Sequence, residues 1–206
     1  MSGYFGSLQG DNRKNGGMKM QNVFVKCPVM ENERYLLRLV EESDAKDLLK
    51  VYSDKKALPF FNSDNCNGTN FYLQTEEKMV SYIQFWLRDY ANRIHVRFAI
   101  VDKSIDEVIG TIELFHRKAN DFFNNCCLLR LDVRSDYENT DDIRNLLSLV
   151  LDKVYDMFNC AMITTKAPNY AIDRIAVLKD MGFELSEEYL VGHNKRVYDG
   201  YWVKIK

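Results

Sequence analysis

The chain has 206 residues, 46% of them hydrophobic and 28% charged, enough to bury a sizeable core in one folded unit. A net charge of −2 and a pI near 6.0 exclude a global basic field for nucleic acid or an anionic membrane surface, and no run approaches the ~18–20 apolar residues of a membrane span. Five cysteines (27, 66, 126, 127, 160) make an odd number without CxxC spacing, so reduced structural thiols in a cytoplasmic protein are expected, with no metal site.

In chain order, residues 1–22 are rich in Gly, Asn and Ser, lack periodic apolar residues and carry no signal-type apolar core, so they read as a flexible tail before a single domain over 23–206. Residues 33–42 alternate Tyr35, Leu37 and Leu39 against Leu36, Arg38 and Val40, a first strand. Ser43 is placed to cap a helix running to Tyr52, with Asp44 in its first turn. A loop dense in Asn, Asp and Ser spans 58–69. A second helix starts at Thr75-Glu76-Glu77 and lines up Met79, Tyr82, Ile83, Trp86, Leu87 and Tyr90 on one face.

Two β-rich runs, 95–102 and 107–116, flank a Lys-Ser-Ile-Asp turn and read as an antiparallel pair. The strand CCLLRLDV (126–133) leads through the loop RSDYENTDD (134–142) into a long helix. Its apolar residues Ile143, Leu146, Leu147, Val150, Leu151, Val154, Tyr155 and Phe158 recur at intervals of three and four. The strand MITTK (162–166), Ala167-Pro168-Asn169, a last helix and Gly182-Phe183 follow. Two final strands, about 185–191 and 196–205, are expected to turn at Gly192-His193-Asn194, with Tyr201 and Trp202 packing that hairpin. The order β-α-α-β-β-β-α-β-α-β-β predicts an α+β fold: a mixed, mostly antiparallel twisted sheet of about seven strands flanked by four helices, α/β/α in layers.

That order resembles the GNAT family of N-acetyltransferases, and several phrases are similar to its branch that acetylates ribosomal-protein N-termini. They are Arg38-Leu39 with Glu42-Ser43-Asp44-Ala45, Thr75-Glu76-Glu77 with Tyr82-Ile83, Phe98-Ala99-Ile100, and Val108-Ile109-Gly110-Thr111-Ile112. The run Val177-Leu178-Lys179-Asp180-Met181-Gly182-Phe183 resembles the end of that branch's N-x-x-S-x-R-V-L-E-K-x-G-F segment, with Asn169 the nearest counterpart of its asparagine, two residues further upstream. The likeness covers roughly residues 35–205 and implies acetyl-CoA as cosubstrate and an amine acceptor. It leaves a homodimer open.

The resemblance places the pyrophosphate on the loop and helix N-terminus formed by Glu138, Asn139, Thr140, Asp141, Asp142 and Ile143, with Arg144 beside it. It places the pantetheine arm along the backbone from Leu131 to Val133 and near Asn169. The family's loop reads Q/R-x-x-G-x-G/A, whereas here Glu138 stands at the Gln/Arg position, Asp141 at the first glycine and Ile143 at the second small residue. A carboxylate about 5 Å from a phosphate charge costs roughly 3 kcal/mol at an effective dielectric near 20. In the competing reading, Asn139 or Thr140 caps the helix, Asp141 and Asp142 satisfy its dipole, and Asn169 caps the next one. Arg134 and Arg144 are the cations near enough in sequence to offset the acids.

Direct attack of an amine on a thioester needs a base, carbonyl-polarising donors and an acid for the thiolate. Glu113 and His116 on the third long strand and Asp132 on the fourth are the candidates; the family's tyrosine acid falls at Leu178 and is missing. Two readings stay open: an N-acetyltransferase acting on a protein N-terminus or small amine, and a catalytically silent GNAT-shaped binding or regulatory protein.

Overall fold

In the computed structural model, which describes residues 22–193 and 195–206, the apolar stripe of the central segment becomes α3 (Thr140–Phe158). Asn139 caps it by accepting the Asp142 amide N–H at 3.1 Å, and Asn159 ends it in the left-handed region at φ +48°. The expected residues of the stripe are buried, with Leu149 and Met157 added. The expected tail over 1–22 lies almost wholly outside the described residues, as does Asn194.

Three further helices follow from equally local causes. Helix α1 (Ala45–Tyr52) is preceded by a 3-10 turn, Glu42–Asp44. Ser43 therefore does not cap it; Asp44 does the local work, accepting the Glu41 amide N–H at 2.8 Å and a two-pronged pair from Arg38. Helix α2 (Glu76–Ala91) starts where expected, with Thr75 as its cap, and of the expected face it buries Met79, Ile83 and Trp86 while Tyr82, Leu87 and Tyr90 are half-buried. Helix α4 (Ile172–Asp180) begins after Ala171, which offers no side-chain cap, so the capping role considered for Asn169 does not occur.

The main sheet has eight strands in the order β1-β2-β3-β4-β5-β6-β10-β7. These are β1 (Met30–Glu31), β2 (Tyr35–Leu39), β3 (Val96–Asp102), β4 (Glu107–Arg117), β5 (Cys126–Val133), β6 (Met162–Lys166), β7 (Glu184–Leu185) and β10 (Tyr201–Ile205). All neighbours are antiparallel except β5 and β6, joined by the α3 crossover. The expected pair of long C-terminal strands is broken up. Its middle forms a separate ribbon of β8 (Leu190–Val191) and β9 (Val197–Tyr198), and Gly200, at φ +73°, turns the chain back into the main sheet. The ribbon is captured by side chains: Arg117 donates to the Val191 carbonyl at 2.8 Å, and Asp121 accepts the Val191 N–H at 3.0 Å.

Alternation along the strands loads both faces. Tyr35, Leu37, Phe98, Ile100, Ile112, Leu114, Leu129 and Leu131 pack under α3 and α4. On the other face Ala99, Val101 and Val108 meet Leu48, Val51, Met79, Ile83 and Trp86 of α1 and α2. The pairing of β3 with β4 skips Ile109, a bulge that lets Ile109 join the α3 side and Val108 the α1 side. Gly110 then passes so close to β5 that a Cβ there would lie 2.3 Å from the Asp132 carbonyl oxygen. Among the described residues no helix is long and apolar enough to cross a membrane, and all five cysteines are unpaired.

Candidate functional site

Strand register assembles the first half of the site. Across β3, β4 and β5 one rung reads Arg97, Glu113, Arg130, and the next reads Ala99, Thr111, Asp132. All these side chains point to the α1/α2 face, opposite Ile112 and Leu114. Arg97 binds one Glu113 oxygen through Nη2, and Arg130 donates to the other at 2.8 Å. Through Nη1, Arg97 also reaches Asp132 Oδ2 at 3.3 Å and the hydroxyls of Tyr52 and Thr111 at 3.0 Å each. Tyr52, in the last turn of α1, donates to Asp132 at 2.9 Å, and Trp86 of α2 lies with its ring centre 4.2 Å from the Arg97 guanidinium carbon. Two guanidiniums thus meet two carboxylates in a buried pocket, with Arg97 2% exposed and Asp132 1%.

The two carboxylates are shifted in opposite directions. Burial pushes Glu113 up, but Arg97 and Arg130 outweigh it and hold the carboxyl at about 2, too low to accept a proton at neutral pH. Burial raises Asp132 above the ordinary carboxylate value against the pull of Arg97, and its Oδ1 is buried without a hydrogen-bond partner. His95, 3.8 Å from Glu113 and 3.4 Å from Asp89, is held below its usual value by burial, despite Glu113. His116 is not part of this group; it sits at the far end of β4, bonded to Asn125 at 2.7 Å.

The second half is the gap between β5 and β6. Their parallel pairing runs only from Cys126 and Met162 to Leu129 and Thr165, after which Arg130–Val133 stay with β4 alone. The Leu131 carbonyl there accepts from Arg174 Nη1 at 3.0 Å. Arg174 stands in the first turn of α4, and its guanidinium also grips Glu138 in a fork, Nε to Oε1 at 2.8 Å and Nη2 to Oε2 at 2.6 Å. A fourth bond, 3.1 Å, goes to the carbonyl of Phe60, in the 3-10 turn Leu58–Phe60. Both partners are buried, their side chains 4% and 6% exposed. Tyr170 ties the same turn down, donating to the Pro59 carbonyl at 2.6 Å and setting its ring edge-on to Phe60.

The other residues expected to hold a cofactor do not converge on this gap. Asp142 turns back toward β2, accepting from Arg34 and Tyr35 at 2.6 Å each and from Asn139 at 2.7 Å. Asp141 is exposed, and Ile143 is core. Thr140 donates to Asp173 at 3.1 Å, and Arg144 to Asp180 at 2.6 Å, both linking α3 to α4. Arg134 pairs with Asp136 and Glu107. Asn169 is exposed and lines a cleft of about 520 Å³ between α4 and β10, with Lys179 and Trp202. Val133 is buried core at the end of β5. Tyr201 and Trp202 are buried in β10, but the hairpin they were expected to pack does not form: Tyr201 clusters with Phe123 and Leu190, and Trp202 joins the main core. Among the loop acids Glu138 alone reaches the gap, and Arg174, missed from sequence, reaches it from the other side. The signal was present: Arg174 precedes Val177 and Leu178 by three and four residues, a charge on the buried stripe. Counted back from Gly182-Phe183, it stands where the N-x-x-S-x-R segment has serine.

As the chain stands, Arg174 holds the Leu131 carbonyl and Glu138 puts a carboxylate on the loop to which the resemblance assigns the pyrophosphate, so neither group is free for acetyl-CoA in this conformation.

No protein-family model matches the chain. Over 92 residues it is 26% identical to an uncharacterized N-acetyltransferase, YoaA, of Bacillus subtilis (strain 168), a match covering 45% of this chain and 48% of that protein, about half its length. Among solved structures, the ribosomal-protein-S5-alanine acetyltransferase of Vibrio fischeri superposes with a TM-score of 0.64 at 19% identity, over 86% of this chain and 96% of that one. A microcin C7 self-immunity acetyltransferase, solved in complex with acetyl-CoA and AMP, gives 0.65 at 15% identity, over 85% and 94%.

Proposed function

We propose, for a chain that has the fold of the GNAT acetyltransferases, that it moves an acetyl group from acetyl-CoA to a primary amine, on a protein N-terminus or a small molecule. The observation that carries this reading is the parting of β5 from β6 beyond Leu129, which leaves the backbone of Leu131 to Val133 paired on one side only, next to the N-terminus of α3. Of the three candidate bases, Asp132 takes the role, with a carboxyl raised by burial and one oxygen free of partners. Glu113 serves the same pocket as a fixed negative charge that keeps Arg97 and Arg130 in place.

A thermal melt with excess acetyl-CoA tests the reading. Ligand at a hundred times its dissociation constant stabilises by about 2.7 kcal/mol. No change at millimolar acetyl-CoA, together with no release of free thiol in the presence of an alanine- or serine-headed peptide or a small diamine, would sink it. The second reading, a silent GNAT-shaped binding or regulatory protein, is favoured by Glu138, whose buried carboxylate faces the gap.

A further inference from the structure

The misfit at the gap has a definite construction. A buried ion pair adds little net stability compared with apolar residues of the same volume. Nor does α4 need this one to pack, since Val177 and Leu178 already anchor it in the core under the sheet. What the pair does is geometric. One guanidinium gathers three separate segments: the turn at Phe60, the β5 backbone at Leu131 and the lead-in to α3 at Glu138. Its bond to the Leu131 carbonyl takes the acceptor left over where β6 peels away. Only arginine spans this, because its planar fork meets both Glu138 oxygens while Nη1 stays free for the two carbonyls.

We propose that Arg174 and Glu138 form an internal clasp that shuts the donor cleft, so that acyl-CoA enters only when the pair parts. This rests on the acetyl-CoA reading above and specifies the regulation of that site. A ligand that binds only the open form has its apparent affinity reduced by the open fraction. Removing the clasp therefore tightens binding by the same factor.

Two variants are compared: Glu138→Gln with Arg174→Ser removes both charges together and leaves no buried ion unpaired, and Arg174→Lys keeps the Glu138 charge, so a gain there separates the clasp from mere loss of a carboxylate. Binding of coenzyme A and acetyl-CoA to each and to the unaltered chain is measured by titration calorimetry at fixed salt, with urea midpoints to confirm folding. The clasp predicts a gain of at least about tenfold for the double variant, the case of an open fraction of a tenth or less. Arg174→Lys keeps a charge but loses the fork, so it remains informative if the double variant does not fold; it too must bind more tightly than the unaltered chain.

Four outcomes separate the two claims. If both chains bind and the variant binds more tightly, the clasp and the acetyl-CoA reading stand together. If only the variant binds, the clasp stands and the native chain is silent. Equal affinities overturn the clasp and leave the donor reading intact. If neither binds at millimolar ligand, both are overturned.

Discussion

Glu113→Gln is the sharpest test of the ionic pocket between the sheet and α2. The substitution keeps the shape of the side chain and removes the charge that faces Arg97 and Arg130, leaving two buried guanidiniums against the single carboxylate of Asp132. Breaking a buried pair by deleting one partner costs about 3–5 kcal/mol. For a chain of this size that lowers the melting temperature by roughly 6–20 °C. The acid limb gives an independent estimate. Glu113 is held at about 2 against an ordinary 4.5, so its folded-state value is depressed. Its stabilisation is complete above pH 4.5 and is lost as the pH falls toward 2. At about 1.36 kcal/mol per pH unit it amounts to about 3 kcal/mol.

Asp132, whose carboxyl burial pushes up, works in the opposite direction and is present in both proteins. Glu113 is one of the charges that raise it, so Glu113→Gln also relaxes Asp132, and the measured difference is that of the coupled pocket rather than of Glu113 alone. Urea unfolding of the two proteins from pH 7 to pH 2.5 should show the unaltered chain well ahead at neutral pH and the gap narrowing below pH 4.5. A loss under about 1 kcal/mol at pH 7, or parallel acid limbs, would refute the account of Glu113 as a charge held by two arginines.

Three smaller tests probe the frame. Asn139→Ala removes the side-chain cap of α3 and should cost about 1 kcal/mol in urea unfolding, since a lost N-cap ranges over roughly 0.5–2 kcal/mol. Gly110→Ala would set a methyl 2.3 Å from the Asp132 carbonyl, so β4 and β5 must shift, costing about 1–3 kcal/mol and changing the near-ultraviolet circular dichroism of the Tyr52–Trp86 pair; an unchanged protein contradicts the close approach. Burial raises the Cys126 thiol to about 12 and pushes the Cys127 thiol well above its ordinary value, so neither should react with a thiol reagent at pH 8 until the chain unfolds; stoichiometric labelling of the folded protein would count against their placement.

The sequence was most legible where a periodic stripe and its stop signals agree. Residues 126–133 and 162–166 are strands to the residue, and α3 takes Asn139, one of the two caps read for it, but starts at Thr140, inside the stretch 134–142 read as loop. The alternation of Ile112 and Leu114 put Glu113 on the opposite face, where it lies. That it sits between Arg97 and Arg130 follows from strand register, which no local pattern encodes. The C-terminal strands failed for a related reason, since β8 is held at Val191 by Arg117 and Asp121, some seventy residues away in sequence. Arg174 and Glu138 are 36 residues apart, and each alone reads as an ordinary surface charge. Only the charge interrupting the apolar stripe of α4 marks Arg174 as buried.

The short parallel seam between β5 and β6 has a mechanical consequence. Four rungs join the carboxy-terminal third of the molecule to the rest of the sheet, where β4 and β5 share eight. Under load or in mild denaturant that line should yield first, and amide protons of residues 162–166 should exchange sooner than those of β4.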